Sequence, residues 1–322
     1  LVAKRADEAA GQLANMARAL DQQNAIIRQD VANVQSQLTF VNGLVQRYVV
    51  PVHDKYSYGE ETGEYRLQNP EAALIQHLRS FLPSRNALDI GAHRGDVSAL
   101  LLSAGDRVFA FEPSKDSFAR LTERFAGNQD FKPFPFAIST QDGNRPLFSL
   151  QVAPEIESQF NKDLSVYSTL VKHPTPKQMY YAQAAVEVQT RSLKSLHLAG
   201  QIPVDIGIVK IDTGGGDLDV IKGMGSVYYA CVVTEFWDAK HYFSMGSAGL
   251  LPSLVQEMRK RGYLWHIVIY RLIDGTDSRF YANIDQSVEN SWGNVAFFKE
   301  FTLFSEAYNW CSANLVQNET FR

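Results

Sequence analysis

From residue 10 to residue 48 the apolar positions return in alternating steps of three and four. Leu13, Leu20, Ile27, Val34, Val41 and Tyr48 fall every seven residues, and Ala10, Ala17, Asn24, Val31, Leu38 and Val45 interleave with them. That is a heptad seam, and with the second series at a and the first at d it places Asn24 at an a position, where a buried amide fixes register between parallel strands. At 1.5 Å per residue such a helix runs about 58 Å. Residues 1–50 are therefore expected to be an oligomerising coiled coil that makes the protein a homo-oligomer. β-branched residues at d leave dimer, trimer and tetramer open, and a single helix folded onto the following domain is the competing arrangement. Pro51 ends the pattern, and residues 51–71, polar and rich in turn formers, read as a linker.

At residue 87 the period changes. Ala87, Leu88 and Ile90 form a short apolar run broken by Asp89, Gly91 and Gly95 follow, and Val97, Leu100, Leu101 and Leu102 then recur at helical spacing. A second run, Val108 to Phe111, is β-branched and aromatic and ends on Glu112. This predicts strand, glycine turn, helix, parallel strand. Glycines admit a ligand close to the backbone, and an acid at the carboxyl end of the second strand is placed to accept hydrogen bonds from two ribose hydroxyls. A dinucleotide fingerprint requires G-x-G-x-x-G, but here His93 stands where the middle glycine would be, which disfavours a nicotinamide cofactor. The pattern D-x-G-x-x-x-G suits S-adenosylmethionine, which carries a ribose but no phosphate, with Asp89 facing its ammonium group.

Further along, Ala72 to Leu82 and Ser114 to Phe125 have helical apolar spacing. Phe131 to Ile138 reads as a third strand with its exit, and Leu147 to Val152 as a short strand. Ala185 to Thr190 is a strand, Ser192 to Leu198 a helix, Ile206 to Ile211 and Val232 to Thr234 strands. Ala248 to Arg261 is an amphipathic helix, Tyr263 to Tyr270 a strand, Trp292 to Phe298 a final strand, and the tail from Thr302 a closing helix. In Tyr263 to Tyr270, His266 alternates with apolar neighbours and reads as a hydrogen-bonded structural histidine. Alternation puts Lys210 and Asp212 on one side of their strand, at the carboxyl end where parallel sheets bind ligands. The next strand delivers Glu235 to the neighbouring crest, with Asp238 and His241 just after it. Lys210, Asp212, Glu235 and His241 are thus the candidate catalytic set, and a local Lys210–Asp212 ion pair is the simpler alternative. Asp212 and Glu235 together offer hard oxygen ligands that would favour Mg2+ or Mn2+.

Net charge is −4 over 322 residues, which offers no electrostatic footprint for nucleic acid. The two cysteines, Cys231 and Cys311, lack the spacing of a zinc site or a disulfide framework. No apolar run reaches the eighteen or so residues of a membrane helix, and no signal peptide is read. A cytoplasmic location is expected, peripheral to a membrane-associated biosynthetic complex. The first residue is leucine, as in a fragment excised from a longer chain.

Four blocks carry a resemblance to a known family. LDIGAHRG followed by FAFEP, then IVKIDTGGGDLDVIKGM at Ile208 to Met224, then VVTEFW and WGNVAFF, resemble in order the motifs of FkbM S-adenosylmethionine-dependent methyltransferases, over roughly Tyr58 to Phe301. The resemblance implies an α/β, doubly wound, Rossmann-like class I methyltransferase fold over residues 72–322, a mostly parallel seven-stranded sheet with one antiparallel strand. It implies S-adenosylmethionine bound by Asp89, Gly91, His93, Gly95 and Glu112, with Phe136 and Ala137 flanking the adenine edge and Tyr58 covering the site. The acceptor is then gripped by an insertion at about 151–184, through Tyr167, Ser168, His173 or Tyr180. The implied activity is O-methylation of a hydroxyl on a small molecule or glycan, most plausibly a saccharide. One block departs from the pattern: relatives have an acid followed by glycine after KID and one residue, whereas here Thr213 is followed by Gly214, Gly215 and Gly216, with Asp217 at the second acid. A natural variant, a crippled enzyme, and a catalytically impaired methyltransferase-like domain serving as a coiled-coil scaffold all fit that change.

Overall fold

The computed structural model describes residues 56–58, 65–67, 69–151, 168–171, 182–241, 244, 249–272 and 278–318. The heptad segment and most of the acceptor insertion lie outside the described residues, and with them the coiled coil, the oligomer, Tyr167, His173 and Tyr180.

Inside the expected linker, β1 (Tyr56–Tyr58) and β2 (Tyr65–Leu67) pair antiparallel. Helix α1 (Pro70–Leu78) starts two residues earlier than its apolar spacing indicates, because Asn69 caps it: its Oδ1 accepts from Ala72 N at 3.0 Å, and Pro70 supplies the fixed φ of a first helical residue. Then come β3 (Asn86–Ile90), α2 (Asp96–Ser103), β4 (Arg107–Phe111), α3 (Lys115–Arg124) and β5 (Phe131–Phe134). After an excursion through β6 (Ala137–Ile138), β7 (Gly143–Gln151), β8 (Ala182–Arg191) and α4 (Leu193–Leu198), the alternation resumes with β9 (Ile206–Ile211), α5 (Asp217–Lys222), β10 (Tyr229–Trp237), α6 (Leu251–Lys260) and β11 (Trp265–Leu272). The chain closes through β12 (Arg279–Ala282), β13 (Ser291–Phe298), α7 (Phe301–Asn314) and β14 (Val316–Gln317).

The main sheet has the order β14-β12-β11-β13-β10-β9-β3-β4-β5. Strands β10, β9, β3, β4 and β5 are parallel neighbours, and β13 runs antiparallel between β10 and β11. These are the seven strands of the Rossmann-like methyltransferase sheet with its one reversed strand. Two further short strands, β12 and β14, extend the β11 edge. Neither is foreshadowed by pattern, since four and two residues are too few to show a period.

Strand alternation splits the core in two. Ile90, Phe111, Val209, Ile211, Val232 and Phe236 face one side, where Leu193 and Leu196 of α4, Val220 and Ile221 of α5, and Leu254 and Met258 of α6 cover them. Ala87, Ala110, Ile208 and Val233 face the other, under Leu74 and Leu78 of α1, Leu101 of α2, Leu121 of α3 and Phe304 of α7. Cys231 and Cys311 are buried there too, and burial pushes both thiols up. His266 is buried with Nε2 at 3.1 Å from Ile284 O, and burial lowers it to about 4.

A small sheet, β6-β8-β7, leaves the crest of the main sheet, and a backbone bridge between Phe148 and Thr169 adds residues 168–171 to its outer strand. On the opposite face, Glu71 at the start of α1 forms a two-pronged ion pair with Arg271 near the end of β11 (Nη2 to Oε2 2.8 Å). Burial raises the Glu71 carboxyl, and the Arg271 guanidinium and its hydrogen bonds outweigh that and hold it below the usual range.

Candidate active site

At the carboxyl ends of β3, β4 and β9 an open cleft of about 650 Å³ is lined by Gly91, His93, Glu112, Pro113, Ala137, Asp212, Thr213 and Gly214, with the Ser168–Leu170 segment and Leu147 opposite. Its shape begins with Gly91. A Cβ there would lie 1.9 Å from Asp212 O, and the residue has φ +80°, so only glycine lets the turn after β3 cross the end of β9. Gly91 N and Ala92 N both donate to Phe111 O at 3.0 Å, and Asp212 N donates to Ile90 O at 2.9 Å, so three strand ends are sewn together. His93 takes a left-handed φ of 50°. That turn aims its backbone N–H at Glu112 Oε2, 2.8 Å away, while Ser114 N donates to Glu112 Oε1 at 2.7 Å.

Glu112 is therefore a buried carboxyl held at both oxygens by main-chain donors. Burial pushes it up to about 7, the two N–H groups work in the opposite direction, and the Asp89 charge adds to the rise. A carboxylate accepts up to four hydrogen bonds, so two lone-pair positions remain for ligand hydroxyls. A vicinal diol such as a ribose meets that requirement, and the cleft residues fit an adenosyl group.

The other sequence candidates divide by position. Asp212 lines the cleft with a side chain 38% exposed, and Lys210 Nζ stands 3.6 Å from its Oδ2 while donating to Ile211 O at 3.0 Å. Asp89 sits behind the cleft wall, with Oδ2 accepting from Ser98 Oγ at 2.6 Å; burial raises it to about 6. Gly95 caps α2 and lets Leu121 of α3 and Phe125 at its end approach where a Cβ would stand. Phe136 packs among Phe111 and Phe134 while its neighbour Ala137 reaches the cleft. Lys210, Glu235 and His241 are buried and do not line it. Glu235 Oε2 accepts from Trp237 Nε1 at 3.1 Å, and His241 lies against the Trp237 ring, 4.7 Å between centroids. Glu235 thus does not share the cleft with Asp212. Among the described residues no group of three or more His, Cys, Asp or Glu could hold a metal ion. Of the two carboxylates read as a Mg2+ or Mn2+ site, only Asp212 lines the cleft. The side chain of Tyr58 lies outside the described residues.

The glycine run has a structural account. Gly214 has φ +62°, and a Cβ on it would stand 3.3 Å from Ser168 O and Thr169 Cβ. The bare backbone lets the Ser168–Leu170 segment rest on the loop after β9 and wall the cleft. Asp217, at the second acid of the block, is fully buried. Its Oδ1 accepts from Thr213 N and Oγ1, and its Oδ2 from Thr234 Oγ1 (2.6 Å) and Glu235 N (3.0 Å). Burial raises its carboxyl and the Asp212 charge raises it further. It ties the loop to β10 rather than facing a ligand.

The match to protein families decides the rest: residues 89–264 fit the methyltransferase FkbM domain. The chain belongs to the FkbM methyltransferase family. A curated relative, the hexuronic acid methyltransferase AglP of Haloferax volcanii, is 29% identical over 141 residues, which cover 42% of this chain and 48% of the relative. This FkbM chain therefore spans about half the length of the curated relative it matches. Similar solved structures include the precorrin-6y C5,15-methyltransferase of Geobacter metallireducens (TM-score 0.38, 12% identity, 78% of this chain and 99% of that one). Another is a SAM-dependent methyltransferase of Agrobacterium tumefaciens (TM-score 0.38, 10% identity, 72% and 62%).

Several cleft residues carry no signal that sequence reading picked out. Thr169 and Leu170 lie in an aperiodic insertion, Ile138 ends a two-residue strand, and Asp219 is the third residue of α5, a six-residue helix too short to show a period. Leu147 had a usable cue, as the first residue of the short strand read from Leu147 to Val152, which falls within β7 apart from its last residue.

Proposed function

We propose that this FkbM protein transfers a methyl group from S-adenosylmethionine to a hydroxyl oxygen of a saccharide, with a uronic-acid-containing sugar as the favoured acceptor. The observation that carries the reading is the pairing, in one cleft, of a diol-binding carboxylate at Glu112 with a second, partly exposed carboxylate at Asp212. The substrate in the name of the Haloferax relative, a hexuronic acid, supports the acceptor class.

The bound donor supplies an electrophilic methyl on a sulfonium sulfur. Glu112 accepts from the ribose diol, and the Gly91 turn lets that ligand lie against the main chain. Asp212 takes the proton from the acceptor hydroxyl as the oxygen attacks, because an alcohol is a poor nucleophile while its proton is attached. Lys210 is a positioning residue: its ammonium fixes the Asp212 carboxylate at the crest without entering the cleft. Alignment of oxygen, methyl carbon and sulfur supplies much of the acceleration. No step here runs through a metal ion.

The test uses radiolabelled donor with uronic-acid oligosaccharides and neutral oligosaccharides. Label should enter the acidic sugars, and Asp212→Asn should cut transfer about a hundredfold, within the 10²–10⁴ range of general-base catalysis, while binding of S-adenosylhomocysteine stays within twofold. No labelled sugar, together with no donor binding by calorimetry, sinks the reading.

A further inference from the structure

The cleft lining is chemically mixed. Glu112, Asp212, Thr213, Ser168 and Thr169 are among its polar residues. Phe111, Ala137, Ile138, Leu147 and Leu170 are its apolar lining, and Asp219 of α5 lines it too; Leu147 shares a face of β7 with Arg145, and Ile138 immediately precedes Ser139, so two of these apolar residues lie beside the partners of Asp219. Asp219 does not stand alone. Its Oδ2 takes Arg145 Nη1 at 2.8 Å, and the same Nη1 donates to Ser139 Oγ at 2.8 Å. Three elements, β7, the exit of β6 and α5, therefore converge to fix one carboxylate at the edge of an apolar slot. Both side chains of this pair are about one-third exposed, at 36% and 33%, and such a pair contributes little to stability. A built, partly exposed carboxylate beside an apolar slot suits a flat heteroaromatic ring that carries an amine.

We propose that Asp219 is the base-reading residue of this cleft: it accepts a hydrogen bond from the exocyclic amine of adenine, with Arg145 as its positioning residue. The inference rests on the donor reading above and deepens it. The apolar residues hold the two faces of the ring, Glu112 takes the ribose, and Asp219 sets the choice between adenine and a base with a carbonyl at the same position. One bond to Arg145 leaves lone pairs on the carboxylate for that amine. A hypoxanthine ring would instead bring its carbonyl oxygen against the carboxylate.

Calorimetric titration of the full chain with S-adenosylhomocysteine and with S-inosylhomocysteine tests it. The unsubstituted protein should bind the adenine compound at least tenfold more tightly. Asp219→Ala should weaken the adenine compound about 10- to 100-fold, the worth of one charged hydrogen bond, and leave the inosine compound within threefold, so that the preference disappears. Arg145→Met, which keeps the carboxylate, should retain a preference while weakening both compounds less than Asp219→Ala weakens the adenine one. Thermal melts of each variant show that it is folded. Equal weakening of both compounds by Asp219→Ala overturns the proposal in favour of a purely structural acid. Unchanged binding of the adenine compound overturns it by placing the base elsewhere. Binding of neither compound by the unsubstituted protein removes the donor reading itself, a result distinct from these two.

Discussion

Donor binding should be coupled to proton release at Glu112. In the ligand-free protein this carboxyl titrates at about 7 because burial disfavours its charge more than the N–H groups of His93 and Ser114 favour it. Two ribose hydroxyls require the ionised form, since a protonated carboxyl gives up one acceptor position and presents a donor. The ligand therefore binds the charged state, and the apparent dissociation constant rises as that state is depleted. From about pH 7.5 to about pH 5.5 the ionised fraction falls by a factor of roughly 25, equivalent to about 1.9 kcal/mol at 1.36 kcal/mol per pH unit. Calorimetry of S-adenosylhomocysteine across that window, in two buffers of different ionisation enthalpy, reads both quantities at once. Affinity should fall toward acid, and about half a proton should be released per ligand near pH 7. Asp89, raised to about 6 behind the same wall, adds a smaller bend below that. Glu112→Gln serves as the control for titrations of the ligand, and its profile should be flat from pH 6.5 to 7.5. Affinity independent of pH in the unsubstituted protein, or the same slope retained in Glu112→Gln, would refute the reasoning.

Three further outcomes are expected. Gly214→Glu, which installs the acid of the resembled pattern, should lower stability by about 1–3 kcal/mol, because a side chain at φ +62° is strained and meets Ser168 O and the Thr169 side chain; urea melts would show it, and methyl transfer should fall rather than rise. Asp217→Ala strips the acceptor from Thr213, Thr234 and Glu235 N at once and should cost about 3 kcal/mol in the same melts; a change under 1 kcal/mol would contradict the tying role. Arg271→Met leaves Glu71 buried and charged and should cost about 3–5 kcal/mol at pH 7. Since the folded-state value of Glu71 lies below its ordinary value, the ion pair's contribution is full above that ordinary range and is lost as pH falls through the lowered value. The gap between unsubstituted and Arg271→Met protein should therefore narrow in acid and persist at pH 8.

Much of the architecture was legible because its elements are long enough to show a period. Strands β3, β4 and β9 follow from short apolar runs and helices α3 and α6 from a repeat of three and four, and β13, read as a final strand, is the reversed one. The glycine turn and its acid were legible for a different reason: Gly91 and Glu112 act through backbone geometry that a short motif encodes. What escaped depends on partners far apart in the chain. Nothing near Glu235 announces that Trp237 Nε1 will hold its carboxylate, or that Asp217 will take its backbone N–H, so a crest position read from alternation became a buried one. Likewise Gly214 read as a missing acid, and only the approach of Ser168 and Thr169 from an insertion shows what the absent side chain makes room for.

The Glu71–Arg271 pair and the pairing of β3 with β9 impose an order on synthesis. Leu88 lies against Val209, 121 residues later (209 − 88), and Glu71 meets its guanidinium 200 residues later. At about 5–20 residues per second, the middle strand of the sheet waits roughly 6–24 s for its neighbour on the ribosome. Meanwhile β4 and β5 can zip onto one flank of β3 while the other flank and the first helix stay open. A nascent chain halted before residue 206 should thus bind chaperones that recognise unpaired strand edges, and lose that binding once β9 and β10 have emerged.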